Sequence, residues 1–301
     1  MRAIPLLLLA QLCVSSAPVL ITLCDLPPAT VAAGRLLGAS LFFLPFALPR
    51  IRRELAGVAR ADIVRVCIGG ALFGIHFVLF IGAFKLTSFE SAVVVLSFQP
   101  MTALLLGQWM LGERSNGGMW LAVLAAFIGL AMLVWNDATV DDGASNLDRV
   151  LGDLCVIGAC VLIVISYIFG RRLRQKLSFP VYIVIFFACG GFASVICAIL
   201  MGERPATNDA EPWLWLLALI FLPTITGHAL FHYLVKHVRV FSINIVFVLE
   251  PLMAVSAKWL IDDPERFGPA ELGGIQIAGA VLLLAGVTVG LAARERGLKK
   301  P

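Results

Sequence analysis

Ten long apolar stretches alternate with short polar segments along the whole chain. An α-helix needs about 20 apolar residues to cross the hydrocarbon core of a bilayer, and each stretch is close to that length. The pattern predicts membrane-spanning helices at 3–23, 28–48, 63–83, 89–111, 117–136, 150–170, 179–201, 212–234, 240–261 and 271–292. We therefore expect an all-α integral membrane protein with ten transmembrane helices.

Composition agrees with this pattern and leaves no room for a soluble domain. Of the 301 residues, 60% are hydrophobic and only 14% are charged, whereas soluble domains carry about 25% charged residues. The first stretch has the charge and length of a secretory signal peptide. Its apolar character continues through residues 17–23, however, which favours a first helix that is retained.

The basic residues predict the orientation of these helices. If the N-terminus is cytoplasmic, 17 of the 23 basic residues fall on cytoplasmic segments, as the positive-inside rule requires. A wrong helix count would scramble this alternation. We therefore predict a multi-pass protein of the cell (inner) membrane with both termini in the cytoplasm.

The chain also repeats itself. Lys85 and Pro100 of the first half match Lys236 and Pro251 of the second at one constant offset, and Ser91 matches Ser242. Each half, 1–149 and 150–301, holds five predicted helices, and five is an odd number. The second half therefore enters the membrane from the opposite side. Such inverted repeats are known in transporters, with the substrate near the midplane where the halves meet.

Several segments together resemble the EamA-type repeat of the drug/metabolite transporter superfamily, in its ten-helix branch. These segments are Arg35 in the second helix, 85–88, the Pro100 helix, the turn at 111–114, 152–154 and 249–251. The resemblance implies a small-metabolite carrier of the inner membrane, often an exporter of amino acids or related compounds. The turn at 263–266 departs from the pattern, because it lacks the Gly-Glu pair present at 112–113.

Three of the charged residues inside predicted helices are candidates for a role in transport or in helix packing, because each charge in a helix centre costs about 2.5–3.5 kcal/mol on insertion scales. Glu250 lies deepest, and either couples transport to protons, anchors a substrate amine or pairs within the bundle beside Pro251. Arg35 either ties neighbouring helices together or binds a substrate carboxylate. Lys258 is expected to extend toward the outer membrane surface. Pro100 and Pro251 each break a helix, at a gate, at a pocket or as simple curvature.

The remaining polar and aromatic residues at mid-helix depth are candidates for a substrate cavity. With Glu250, the predicted substrate-binding residues are His76, Phe77, Gln99, Tyr167, His228 and Asn244. His228 and His232 lie four residues apart on one helix face, but no third ligand lies nearby in sequence, so we predict no metal site and no cofactor.

The leading hypothesis is a secondary carrier that works by alternating access on a small-molecule substrate in the lipid bilayer. The chain has no phosphate-binding G-x-x-x-x-G-K-[ST] motif, and its basic residues follow membrane orientation, so neither ATP-driven transport nor nucleic-acid binding is expected. Monomer and homodimer both remain open. The alternatives are a membrane-embedded enzyme acting on lipid-like substrates and a channel.

Overall fold

The computed structural model describes residues 3–112, 117–139, 146–204, 207, 209–237, 243–261 and 273–298. The turn at 113–116 and the segment 262–272, where the two EamA-like turns were compared, lie outside this part. Regular secondary structure in the described part is helical throughout. The α-helices are α1 (Ala3–Val14), α2 (Ala17–Leu23), α3 (Pro28–Ala56), α4 (Arg60–Ala83), α5 (Phe89–Leu96), α6 (Gln99–Leu111), α7 (Gly117–Thr139), α8 (Asn146–Arg174), α9 (Phe179–Leu200), α10 (Glu211–Leu219), α11 (Ala229–Leu234), α12 (Glu250–Ile261) and α13 (Gly274–Leu298).

Seven stretches of the described residues are long and apolar enough to cross a membrane. They are Pro5–Leu23, Pro28–Ala56, Arg60–Ala83, Phe89–Met110, Asn146–Arg171, Phe179–Leu200 and Glu211–Leu234. Helices also occupy the other three predicted positions, but their described apolar parts are shorter, as in Trp120–Met132 and Ile277–Gly286. The prediction of an all-helical membrane protein is therefore confirmed, while the count of ten spans stays a prediction.

Four of the membrane helices are irregular near their middle. The first is interrupted between α1 and α2, and the fourth between α5 and α6. The eighth continues from α10 into a π-helix, Ile220–His228, before α11, and a 3-10 helix, Ile245–Leu249, precedes α12. Irregular backbone at membrane depth is tolerated only where protein or a cavity surrounds it.

Helices of the two halves of the chain pack directly against one another. Helix α4 of the first half contacts α8 and α9 of the second, and α7 lies along α13. At Gly74, an added Cβ would lie 2.1 Å from the carbonyl oxygen of Gly190, so α4 and α9 touch backbone to backbone. Small residues at such crossings allow helices to associate closely in lipid.

Candidate functional site

A small cavity lies at the centre of the bundle, enclosed by both halves. The space open to the centre of a water molecule is about 10 Å³, which is room for about one water. Its lining residues are Val14, Ala17, His76, Phe77, Phe80, Leu96, Gln99, Ile163, His228, Phe247 and Glu250. This space is too small for a metabolite, which would fit only if the surrounding helices moved apart.

All four irregular helices meet at this cavity. Val14 and Ala17 border the break between α1 and α2, while Leu96 and Gln99 border the break between α5 and α6. His228 closes the π-helix, and the segment 247–250 spans the end of the 3-10 helix and the start of α12. π-helical segments are rare and occur frequently at functional sites. The backbone therefore departs from the α-helix where the protein encloses its central space.

Glu250 reaches this cavity with its carboxylate held from the first helix. It is 1% exposed and accepts hydrogen bonds at Oε2 from Gln11 Nε2 and from Ser15 Oγ, the latter at 3.1 Å. Ser15 lies in the break between α1 and α2, where the chain turns toward Glu250. Two donors to one carboxylate stabilise its ionised form and offset part of the cost of burial.

Gln99, the counterpart of Glu250 in the first half, has a neutral partner. Its Nε2 donates to Asn244 Oδ1 at 2.6 Å, and both side chains are fully buried. This bond joins the start of α6 to the residue that precedes the 3-10 helix. The two predicted helix breaks are thus connected through side chains of opposite halves.

Arg35 is fully buried and only partly satisfied. Its Nε donates to Thr224 Oγ1 of the π-helix at 2.9 Å, and its guanidinium carbon lies 4.0 Å from the centre of the Phe77 ring. Nη1 and Nη2 have no hydrogen-bond partner among the described residues. Phe77 lines the cavity and Arg35 does not, so one aromatic ring covers the guanidinium.

Histidine and aromatic side chains fill the space beside the cavity. His76 donates through Nδ1 to the carbonyl of Ala159 at 2.9 Å, and the Tyr182 hydroxyl and His232 Nδ1 form a hydrogen bond of 2.9 Å. Tyr167 lies 5.0 Å from His232, measured between ring centres, with no partner for its hydroxyl in the described part. Neither Tyr167 nor Asn244 is among the residues that line the cavity.

The other predicted site residues are distributed as follows. Pro100 and Pro251 are buried directly after Gln99 and Glu250, at the starts of α6 and α12. Lys258 lies in α12, but its side chain is outside what the structure describes. The described residues contain no group of three or more His, Cys, Asp or Glu that could hold a metal ion.

Sequence reasoning missed the residues that hold the two buried charges. Gln11, Ser15 and Thr224 lie in apolar stretches that read as ordinary helix, and only their polarity distinguishes them. A second carboxylate, that of Asp153, is also buried, at 0% exposed. Asp153 accepts hydrogen bonds from Thr87 and Ser91, at 3.2 and 2.9 Å, near the start of α5.

The fold and the central cavity define a multi-pass membrane protein with a closed internal site, which is the plan of a membrane carrier. Comparison with known families identifies it further. The model of the EamA-like transporter family matches residues 1–135 and again 150–291. The chain belongs to this family, and the resemblance noted from its sequence is confirmed.

Curated relatives agree with this assignment. An uncharacterised transporter of Archaeoglobus fulgidus is 28% identical over 85% of this chain and 83% of its own length. An uncharacterised transporter of Synechocystis sp. is 25% identical over 68% of this chain and 60% of its own length. A protein of Escherichia coli named "Probable amino-acid metabolite efflux pump" is 24% identical over 66% of each chain.

One protein of known crystal structure shares the fold. It superposes with a TM-score of 0.66 at 20% identity, over 97% of this chain and 98% of that one. A likeness at this identity concerns the fold alone and carries no information about the substrate.

Proposed function

We propose that this protein is a secondary carrier that exports small metabolites by alternating access. Ten transmembrane helices would form two inverted five-helix halves, 1–149 and 150–301, in the inner membrane with both termini cytoplasmic. The substrates would be amino acids or amphipathic and aromatic compounds, a class that the name of the Escherichia coli relative supports.

One observation carries this proposal: four irregular helices from both halves converge on a closed cavity. Each interruption allows the two ends of a helix to tilt separately, because the continuous hydrogen-bond ladder is broken there. Movement at these points would enlarge the cavity toward one side of the membrane and then the other. Discontinuous helices at a central site are a recurrent feature of secondary transporters.

Phe77, Phe80 and Phe247 give the cavity an apolar wall, and Gln99 and Glu250 give it polar groups. A largely apolar pocket with a few polar groups orients an amphipathic ligand. This distribution fits a substrate with a hydrocarbon or aromatic body and a polar end.

Glu250 is the group we propose for proton coupling. It lines the cavity, so a substrate and a proton could bind there alternately. The titratable side chains that share the cavity are His76 and His228, while Gln11 and Ser15 donate to the carboxylate from the first helix. These two donors stabilise the ionised form of the carboxylate, so a movement that separates them from Glu250 would remove that stabilisation.

The test is transport by purified protein in proteoliposomes, with radiolabelled L-amino acids as probes and an imposed proton gradient. We expect saturable uptake that the gradient accelerates. Glu250→Gln should lose the acceleration and retain exchange of labelled for unlabelled substrate, because exchange requires no net proton movement. Flux proportional to concentration without saturation would contradict the carrier.

A matched control is Glu203→Gln. Glu203 accepts hydrogen bonds from the backbone of Ala29 and Thr30 at the start of α3, away from the cavity. This variant should keep the response to the gradient. If Glu250→Gln also keeps it, Glu250 does not couple protons, and the carrier proposal remains.

A further inference from the structure

The guanidinium of Arg35 is a buried charged group whose two terminal nitrogens have no hydrogen-bond partner in the described part, and it contacts the cavity-lining Phe77. Glu250 already accepts two hydrogen bonds, whereas Nη1 and Nη2 of Arg35 donate none. No carboxylate among the described residues pairs with Arg35, and the residue is fully buried. A buried cation of this kind is costly, so its retention calls for a compensating partner.

The neighbours of Arg35 orient the guanidinium without neutralising it. Thr224 fixes Nε from the π-helix, which leaves the two terminal nitrogens as a planar fork. This fork matches the two oxygens of a carboxylate, with which arginine forms paired hydrogen bonds. A backbone carbonyl or a hydroxyl does not offer that geometry.

Phe77 is the cavity-lining residue that contacts the guanidinium. Its ring centre lies 4.0 Å from the guanidinium carbon, and its ring makes an edge contact with His228 at 5.1 Å between ring centres. The contact with the ring is a cation–π interaction, which partly compensates the charge while the cavity is empty. A rotation of Phe77 would remove this cover from the guanidinium.

Other buried polar atoms near Phe77 also have no hydrogen-bond partner in the described part. Nδ1 of His228 has no partner in the described part, and neither has the hydroxyl of Tyr167, whose ring centre lies 6.4 Å from that of Phe73. Phe73 in turn contacts Phe77 and His228. A hydroxyl and a neutral imidazole can donate to an oxyanion, so this side of the site is rich in potential donors.

We propose that Arg35 binds the carboxylate of the transported substrate after Phe77 swings aside. The inference rests on the proposed carrier function and specifies its substrate class: an organic carboxylate with an apolar body. Glu250 and Arg35 then have separate roles: Glu250 binds the proton, and Arg35 binds the anionic end of the substrate. Phe77 closes the anion site whenever no substrate occupies it.

The first test needs no variant and uses isosteric probes. Thermal unfolding of the purified protein is followed with phenylacetate, phenylacetamide and phenethylamine over the same concentration range. We expect saturable stabilisation by phenylacetate and at least about tenfold weaker binding of the amide, a difference of about 1.4 kcal/mol. Equal response to the amide, preference for the amine, or no response to phenylacetate would overturn the assignment.

Variants then test whether Arg35 is the source of the preference for a carboxylate over an amide. Arg35→Gln should abolish the preference for phenylacetate over the amide, and Thr224→Val should weaken it while keeping the charge. Phe77→Ala should increase the preference for phenylacetate over phenylacetamide, because the ring that covers the guanidinium is absent while the lost apolar contact affects both ligands alike. A purely structural Arg35 predicts no such change, so an unchanged preference in Phe77→Ala contradicts the proposal even if Arg35→Gln fails to fold.

Transport assays separate this inference from the carrier proposal. Saturable transport of phenethylamine with no effect of phenylacetate would overturn the role of Arg35 and leave the carrier standing. Arg35-dependent binding of phenylacetate without saturable transport of any probe would support the anion site and overturn the carrier.

Discussion

The helix breaks at Gln99-Pro100 and Glu250-Pro251 occupy matching positions in the two halves of the sequence, yet their polar residues have different partners. Gln99 forms a bond between two neutral amides with Asn244. Glu250 is an acid that accepts hydrogen bonds from Gln11 of α1 and from Ser15 in the break between α1 and α2. The two breaks thus match in sequence position and differ in chemistry.

This difference indicates how a symmetric scaffold could perform an asymmetric task. A neutral amide pair can part and reform without gaining or losing a proton, so its break can serve as a hinge or as a fixed wall. A carboxylate can change its charge with the state of the protein. Variants at the two breaks test this contrast, and the largest effect is expected from exchanging their polar residues.

Exchanging the two residues should have the largest effect. In the double variant Gln99→Glu, Glu250→Gln the carboxylate faces Asn244 and loses the donors Gln11 and Ser15. Hydrogen bonds to a charged group contribute about 1.5–3 kcal/mol each, and two are lost, so gradient-driven uptake should fall by at least about a hundredfold. The measurement is amino-acid uptake in proteoliposomes, with the amount of folded protein checked by gel filtration.

The single variant Glu250→Gln is the control for this exchange. If moving the carboxylate restores half or more of the wild-type gradient-driven uptake, the two breaks are equivalent in function. The contrast between the halves would then have no mechanistic meaning.

An intermediate effect is expected from removing the principal donor to Glu250. Gln11→Leu leaves the carboxylate with Ser15 alone, at a cost of about 1–3 kcal/mol in the free energy of unfolding. Thermal or denaturant unfolding in detergent measures it. Leu12→Ala is the control, because Leu12 is 59% exposed on the outer side of α1 and should change stability little.

A Gln11→Leu variant as stable as the wild type would contradict the importance of this contact. The Glu250 break would then resemble the neutral break in its energetics, in spite of its charge.

Much of the fold follows from hydrophobic pattern alone. Apolar length predicted the helices, and the proline at position 100 marked an interruption that the structure has between α5 and α6. Depth in a helix also identified Glu250 and Arg35 as buried charges. These inferences succeed because they depend on local sequence and on the thickness of the bilayer.

The partners of those charges could not be found in the same way. Gln11 and Glu250 are 239 residues apart in sequence, and their contact depends on the packing of the first helix against α12. The π-helix that places Thr224 beside Arg35 lies inside a continuous apolar run, which reads as an ordinary helix. Such contacts arise from tertiary packing, on which hydrophobic periodicity carries no information.

The smallest effect concerns the neutral break. A double-mutant cycle of Gln99→Ala and Asn244→Ala should give a coupling energy of about 0.6 kcal/mol, the average for interhelical hydrogen bonds in membrane proteins. Asn244 has a further interaction besides the bond to Gln99, so the single variant alone overstates that bond. The cycle removes this contribution, because it is lost equally with and without Gln99. Unfolding free energies of the four proteins in detergent supply the value.

A coupling energy above about 1.7 kcal/mol, the upper end of the measured range, would mean that the Gln99–Asn244 pair holds its two helices rigidly together. The Gln99 break would then be the fixed wall of the site, and the Glu250 break the part that moves against it.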